Sequence, residues 1–592
     1  MYVVDASDPT APSLLETVTL DGASQSVAVN SDGVVAVAVG IDGSLAAPYS
    51  SVTYHDSGKV QLFQRVDGST QSLASLTVGA LPDSLAFSPD GTQMVSANEG
   101  EPNTFYGKDP ISGVQISSDP PGTISIIDVD TSDYAASVVT TLGFESFTQS
   151  DLEADGIRIS GDDTMDGVTG NLVEQDMEPE YVTIEGTTAY VSAQENNAIV
   201  EVNLVTKTIT AIKTAGLKDW ESGSLVVDTS DKDGAIEPGP RAFKGLRMPD
   251  GMDSYTVDGE TYVVMANEGD GRVRPDDVNL EVSSDTHLSG AGEGWIALVS
   301  GAPADALETL TDPLTGDQIS VVAATGDGDP ADYLFYEETE DGEEYFITAQ
   351  YGFQADDDFS SDEERLYKYD DLTSLSTWMQ TNGADKESLI GRLKTVSTET
   401  DTTVPPDGNP DQVIGFGGRS FSIMKVSDGS IVYDSGDATE QAAIAAGIYD
   451  DGRSDDKGTE PEGVTLATVG DKTYAFVALE RVNAVHVFDV TSPTDVSEVQ
   501  LINVEAASGG KGPECVVTNT ADDLVIVASE SGTKGLAFYS LSSATTVPAP
   551  VEEAEDEPAA ADDDAVPGKT SAASSAIASL FAMATAAAGV LL

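Results

Sequence analysis

Basic residues are scarce in this chain. Its 592 residues include 27 Lys+Arg against 103 Asp+Glu, a formal net charge of −76, with a pI near 4.1. So few cations give no footprint for a nucleic-acid backbone. An anionic membrane surface would repel the chain as well. An anionic ligand could be held only through bound cations or a few focused basic side chains. Cysteine is rarer still. Cys515 stands alone, which excludes an intrachain disulfide framework and a thiolate zinc cluster, and it reads as a small buried apolar residue. The three histidines, His55, His287 and His486, lie far apart, which argues against a His-rich zinc site and leaves oxygen ligands for any metal. GxSxG, HExxH and P-loop patterns are missing, so no nucleophile can be named. Helical periodicity is nearly missing too, with ATEQAAIAAGIY and part of TSLSTWMQ as the candidates.

What is present reads as a folded β protein with an appended tail. High charge fits disorder, but 40% of the residues are hydrophobic, enough to bury a sizeable core. Residues 1–545 form the folded body. Residues 546–570, within PAPVEEAEDEPAAADDDAVPGK, lack large apolar side chains to offset their ordering entropy and read as a solvated acidic stalk. Residues 571–592 end in IASLFAMATAAAGVLL. Small residues, a polar spacer and a terminal apolar run match a GPI-attachment signal, with cleavage expected between Gly568 and Ser574. The rival reading is a transmembrane tail, but the run is short, Ala-rich and without a Lys/Arg stop. Membrane contact is thus expected only through this C-terminal anchor, at the cell surface or outside the cell.

The N-terminal end does not match that tail. Met1 leads straight into YVVDASDPTAPSLLETVTL, with no charged n-region or apolar h-region. A GPI signal requires secretory entry, so an N-terminal signal peptide is expected to be missing from this chain. The segment VVDASDPT at 3–10 resembles VFDVTSPT at 487–494, whose preceding strand TYAFVALE has no counterpart here, so the first blade is expected to be truncated.

The body repeats one grammar: an alternating apolar strand, a polar turn such as DG, and a second strand ending on small residues. SVAVNSDGVVAVAVG, SLAFSPDGTQMVSAN, YVTIEGTTAYVSAQ and DSYTVDGETYVVMAN are examples. Hairpins recurring over this length predict an all-β fold closed as a β-propeller of about seven blades, roughly 75 residues each. A β-solenoid would repeat faster and more regularly. Long polar insertions fall at 103–122, 143–176, 270–292 and 353–412.

Acids recur in register. Pro plus an acid opens the first strand at Asp83, Glu180, Asp250, Glu462 and Glu514, and a Glu ends the second at Glu99, Glu195, Glu268, Glu480 and Glu530. The separations are 16, 15, 18, 18 and 16 residues, which return the chain to the same end of a hairpin. If the first strand lines the axis, these carboxylates crowd one mouth of a channel, where they need protons or cations among them. Oxygen ligands of this kind predict Ca²⁺, with room for another divalent or trivalent metal, and no nucleotide or organic cofactor. The plainer reading is turn chemistry in an acid-rich chain. Asp228, Asp231 and Asp233 before Gly234 look like a second calcium loop lacking the closing Glu, and Asp327, Asp329 and Asp332 form a weaker one. Arg272, Arg419, Lys457 and Arg481 are candidates for holding a phosphate or carboxylate, unless each simply pairs with adjacent acids. Arg453 shares the acidic loop with Lys457.

Long blocks of the body, including QDMEPEYVTI, MPDGMDSYTVDGETYVVMANEGDGR, FGGRSFSIMKVSDGSIVYDSGDATEQ and DDGRSDDKGTEPEGVTLATVGDKTYAFVALERVNAVHVFDVTSP, resemble the choice-of-anchor I family. That family is related to proteins named mesenchyme-specific cell surface glycoprotein. The resemblance runs over residues 2–545 and implies a secreted propeller on varied C-terminal anchors. Some cyanobacterial and algal proteins similar to it are described as atypical alkaline phosphatases. This implies two functions: a metal-dependent alkaline phosphomonoesterase acting on small extracellular phosphate esters, or a non-catalytic, calcium-stabilised propeller binding a surface or matrix ligand. In the first, Glu180, Glu195, Asp250, Glu268, Glu462 and Glu480 are the expected metal ligands.

Overall fold

The structure is a computed structural model. It describes residues 1–9, 11–40, 57–101, 120–159, 172–220, 224–231, 234–241, 243–272, 393–396, 414–521, 523–532 and 535–545, and short strand segments at 45–46, 51–52, 307–311, 318–322, 335–338, 344–347 and 363–365. The expected stalk, the anchor segment, Asp233, the Asp327–Asp332 loop, His55, His287 and TSLSTWMQ lie outside the described residues. Among those described, no helix is long and apolar enough to cross a membrane.

Alternating apolar runs joined by tight turns make antiparallel sheets, and the chain is an all-β propeller fold. Two compact units are formed, one of Met1 with Val18–Pro461, the other of Tyr2–Thr17 with Glu462–Leu592. In the first unit, four-stranded sheets are built in order from Ala23–Val29, Val34–Gly40, Ser57–Val66 and Ser69–Ala80, and from Pro82–Phe87, Gln93–Asn98, Thr123–Asp128 and Val138–Leu142. Another takes Pro179–Glu185, Thr188–Ala193, Ala198–Asn203 and Thr208–Thr214. A fourth pairs Pro249–Val257 and Glu260–Asn267 with the distant Ser420–Lys425 and Ser430–Asp434. The hairpin at Asp258-Gly259 shows why DG is used. Both residues have positive φ (52° and 82°), as the two-residue loop between paired Val257 and Glu260 requires.

Adjacent sheets of this unit pack face to face. Val95, Ile126, Val191 and Val200 share one apolar layer, and Ala36, Leu62, Met94 and Ile127 share another. Each of these fully buried Val, Leu, Ile and Met side chains stabilises by about 1.5–3 kcal/mol. The first strands of neighbouring sheets also touch, Ala23–Val29 with Pro82–Phe87, then Pro179–Glu185, then Pro249–Val257. The strands that open with Pro and an acid are therefore the inner ones.

In the second unit, Pro461–Val469, Lys472–Leu479, Ala484–Asp489 and Ser497–Asn503 form a four-stranded sheet. Gly510–Asn519, Leu524–Gly532 and Leu536–Ser540 form a three-stranded one, and Tyr2–Asp5 pairs with Ser13–Thr17. Phe476, Val485, Val487, Val525 and Val527 make its core. The expected helix is present at Ala438–Ala446, ended by Gly447 in the left-handed region. One expectation is corrected: Cys515 is exposed. It sits at a register shift of its strand, just before buried Val516, so that both it and Glu514 face outward.

Candidate carboxylate cluster

Sheet register explains how the acids meet. Pro82 pairs with Asn98, Pro249 with Asn267, and Pro513 with Ser529, so each Pro-acid step lies across from the residue that precedes a strand-ending Glu. Each pairing shifts register there, a bulge that re-aims the side chains. The residue before the proline repeats a strained conformation. Leu81, Met248 and Glu460 have φ of 46°, 48° and 46°, and Gly512 has 61°. A non-glycine residue there costs about 1–3 kcal/mol, so the surrounding sheet must hold it. Asn98 and Asn267, both fully buried, anchor the second strand. Asn98 donates to Thr123 O and Ser125 Oγ at 3.1 and 3.0 Å, and Asn267 to Ser420 and Ser422 Oγ at 3.1 Å each.

In the first unit, Asp83, Glu99, Glu180, Glu195, Asp250 and Glu268 are brought into one electrostatic neighbourhood. Burial pushes Glu99 well above the usual carboxylate range, helped by Glu101, Asp83 and Glu195. Burial does the same to Glu180, with Glu195 and Asp250 adding to it, and to Asp250, with Glu268 and Asp83. Glu195 is raised by burial and Asp270. Glu268 is raised by burial while Lys457 opposes the shift. Asp250 and Glu268 place carboxylate oxygens within 4.8 Å of each other. Glu195 and Asp250 are 6% and 4% exposed, and Glu195 Oε2 and Asp250 Oδ2 receive no hydrogen bond among the described residues. A buried anionic oxygen without a donor is costly unless a cation or proton meets it. The donor set is entirely oxygen, which suits Ca²⁺ rather than zinc.

Residues that the spacing did not single out complete the cluster. Gln194 donates to both oxygens of Glu180 (3.2 and 3.1 Å) and accepts from the Gly269 and Asp270 amides at 3.1 and 3.2 Å. Glu178, fully buried, meets Arg272 at 3.0 Å, and Arg158 donates to Glu195 O at 2.8 Å. Glu178 and Glu460 each stand before the proline of an E-P-E triplet, a signal the sequence contains twice.

The four candidate cations take different places. Arg272 also donates to Gln175 O at 2.8 Å. Lys457 donates to Glu268 at 2.7 Å and Asp270 at 3.0 Å. Arg419, held at φ 48°, is fully buried; it donates to Asp228 O, Glu440, Ser454 O and Asp456 O. Its fork ties the Asp228 loop and the 454–456 loop to the helix Ala438–Ala446. Arg481 pairs with its neighbour Glu480 in the second unit and is partly exposed. There Glu480 is buried and Glu462 half-buried, while Glu514 and Glu530 are exposed. Burial, Glu530 and the opposing Arg481 set the raised value of Glu514. In the second calcium-like loop, Asp228 is buried, but its oxygens accept from the Ser230 and Glu237 amides at 3.2 and 2.8 Å, closing its own loop, and Asp231 is half-buried.

The family model of the choice-of-anchor I domain matches residues 1–297 and 328–493. Gigasin-3a of Magallana gigas is 31% identical over 121 residues, 18% of this chain, and the chain spans 42% of that relative's length. Among solved structures, a protein from Lactobacillus plantarum is similar at TM-score 0.37 and 11% identity, covering 91% of this chain and 87% of that one. The periplasmic gluconolactonase of Pseudomonas aeruginosa is similar at TM-score 0.29 and 11% identity, covering 87% and 97%.

Proposed function

Because this chain belongs to the choice-of-anchor I family, a cell-surface or secreted protein, we propose that the carboxylate cluster of its first unit binds divalent cations, Ca²⁺ foremost, and serves hydrolysis of phosphate monoesters outside the cell. The observation that carries the proposal is the pair of buried oxygens, Glu195 Oε2 and Asp250 Oδ2, that receive no hydrogen bond among the described residues, within a crowd of acids. Glu195, Asp250, Glu180 and Glu99 would hold the ions, with Asp83 at the edge, while Glu268 is paired with Lys457. Bound divalent ions would polarise phosphoryl oxygens and lower the pKa of a coordinated water. Gln194 fixes the Glu180 carboxylate, and Arg158 fixes the backbone at Glu195. In an acidic chain an ester dianion would be held mainly through the cations.

The test is hydrolysis of p-nitrophenyl phosphate by the secreted protein at alkaline pH with added Ca²⁺. Turnover that is lost on chelation and in Glu195→Gln supports the proposal. A calcium-loaded protein with no turnover across a panel of phosphate esters leaves the second reading, a calcium-stabilised propeller that binds a surface or matrix ligand. The commitment of Arg272, Lys457 and Arg419 to protein acceptors favours that reading, since it leaves fewer cations for a phosphate.

A further inference from the structure

Charge balance around Glu268 differs from that around its neighbours. Lys457, 8% exposed, lies on the acidic loop 450–460. Its ammonium meets Glu268 Oε1 at 2.7 Å and Asp270 Oδ1 at 3.0 Å, and stands 3.8 Å from Glu460. Glu268 and Glu460 carboxylate oxygens lie within 4.8 Å of each other. Arg453 Nε reaches the other oxygen of Glu460 at 3.0 Å, and Arg453 Nη2 meets Asp456 at 2.9 Å, which Lys394 meets at 3.3 Å. Positive and negative groups thus alternate along this network from Lys394 to Glu268. At Glu268 the alternation stops. Asp250 has an oxygen within 4.8 Å of a Glu268 oxygen, yet among the described residues its Oδ2 receives no hydrogen bond, and neither does Glu195 Oε2.

We propose that Lys457 is a resident counter-cation that determines the capacity of the cluster. It occupies the position a metal would take among Glu268, Asp270 and Glu460, and so withholds Glu268 from the ions bound by Asp250, Glu195, Glu180 and Glu99. This inference rests on the cation-binding reading above. Lys457 acts in two ways. A lysine tethered by the fold fills its position at every calcium concentration. Its unit charge, close to the remaining acids in a buried setting, also repels a second cation far more than it would in water.

Calcium titration of the full metal-free chain by calorimetry tests this, with thermal unfolding measured alongside. Lys457→Met is expected to bind Ca²⁺ at least tenfold more tightly than wild type or to take an additional equivalent. Lys457→Arg, which keeps the charge, is expected to match wild type. Glu268→Gln is expected to change wild-type affinity less than threefold, whereas Glu195→Gln abolishes saturable binding. Wild-type affinity and stoichiometry in a folded Lys457→Met overturn the proposal, as does a Glu268→Gln loss equal to that of Glu195→Gln. If Lys457→Met fails to fold without metal, the comparison of Glu268→Gln with Glu195→Gln decides alone. A wild-type chain that takes no Ca²⁺ overturns the earlier reading and this one with it.

Discussion

The first and second units use the same strand, turn and strand grammar, and both place acids at the ends of sheets. In the first, Glu195, Asp250 and Glu268 are buried against one another and against Glu180 and Glu99. In the second, Glu514 and Glu530 are exposed, and Glu480 pairs with an arginine that reaches solvent. The repeat spacing returns the acids to one end of a hairpin in both cases. Burial without a paired cation makes the difference: Glu514 and Glu530 stay solvated and buried Glu480 has Arg481, whereas desolvated carboxylates without such a partner must share cations or protons.

The sharpest contrast lies between two arginines. Arg419→Ala should destabilise the protein by about 3–5 kcal/mol, because it leaves Glu440 buried and uncompensated. Arg481→Ala should cost about 1 kcal/mol or less, as its partly exposed pair is screened. Denaturant unfolding of both variants checks this, and equal losses would erase the distinction between the units.

Next in size is a pH effect confined to the metal-free protein. Glu99, Glu180, Glu195 and Asp250 have folded pKa values raised by burial, so the folded state binds their protons more tightly than the unfolded state. Their stabilising contribution is full below the ordinary carboxylate value, about pH 4, and is lost as pH rises through the raised values. Asp434 acts in the opposite sense. Although it is buried, Lys218 and Arg247 hold it low, so its contribution is lost as pH falls through its depressed value. Tm of the chelated protein should therefore fall as pH rises above the ordinary carboxylate range and through these raised values, and Ca²⁺ should remove that fall. A chelated protein more stable at the alkaline end would contradict this.

Much of this architecture was legible in the sequence. Alternation at period 2 and DG turns gave the strand pairs, and the Pro-acid and Glu positions fell at one end of each sheet because a hairpin of that length has no other choice. Three features were not legible. Glu260–Asn267 pairs with Ser420–Lys425 across some 150 residues, a contact with no local signal. A guanidinium among acids reads the same in sequence whether it clamps loops, as Arg419 does, or holds a ligand. Glu178 and Glu460 precede proline, where the sequence pattern drew attention to the acid that follows it. Which acids are buried depends on neighbouring sheets, and no single repeat encodes that.

A smaller effect separates the two sets of acids. Asp250→Asn should abolish the Ca²⁺-induced rise in Tm, while Glu530→Gln should leave it unchanged within error. Matching responses in a thermal-shift titration would show that burial does not divide the units. The smallest expected effect is at Cys515. Its exposure predicts rapid reaction with a thiol reagent in the native protein and a stability change within about 0.5 kcal/mol for Cys515→Ser. A thiol that reacts only on unfolding would contradict that placement.

The central claim is that the buried acids of the first unit form a cation site. Calorimetric titration of Ca²⁺ into the full metal-free chain, beside Glu195→Gln and Asp250→Asn, tests it most directly. Saturable binding by wild type, abolished in both variants while their circular dichroism is unchanged, is the predicted result. Wild type giving only heats of dilution, or both variants binding as wild type does, would contradict it.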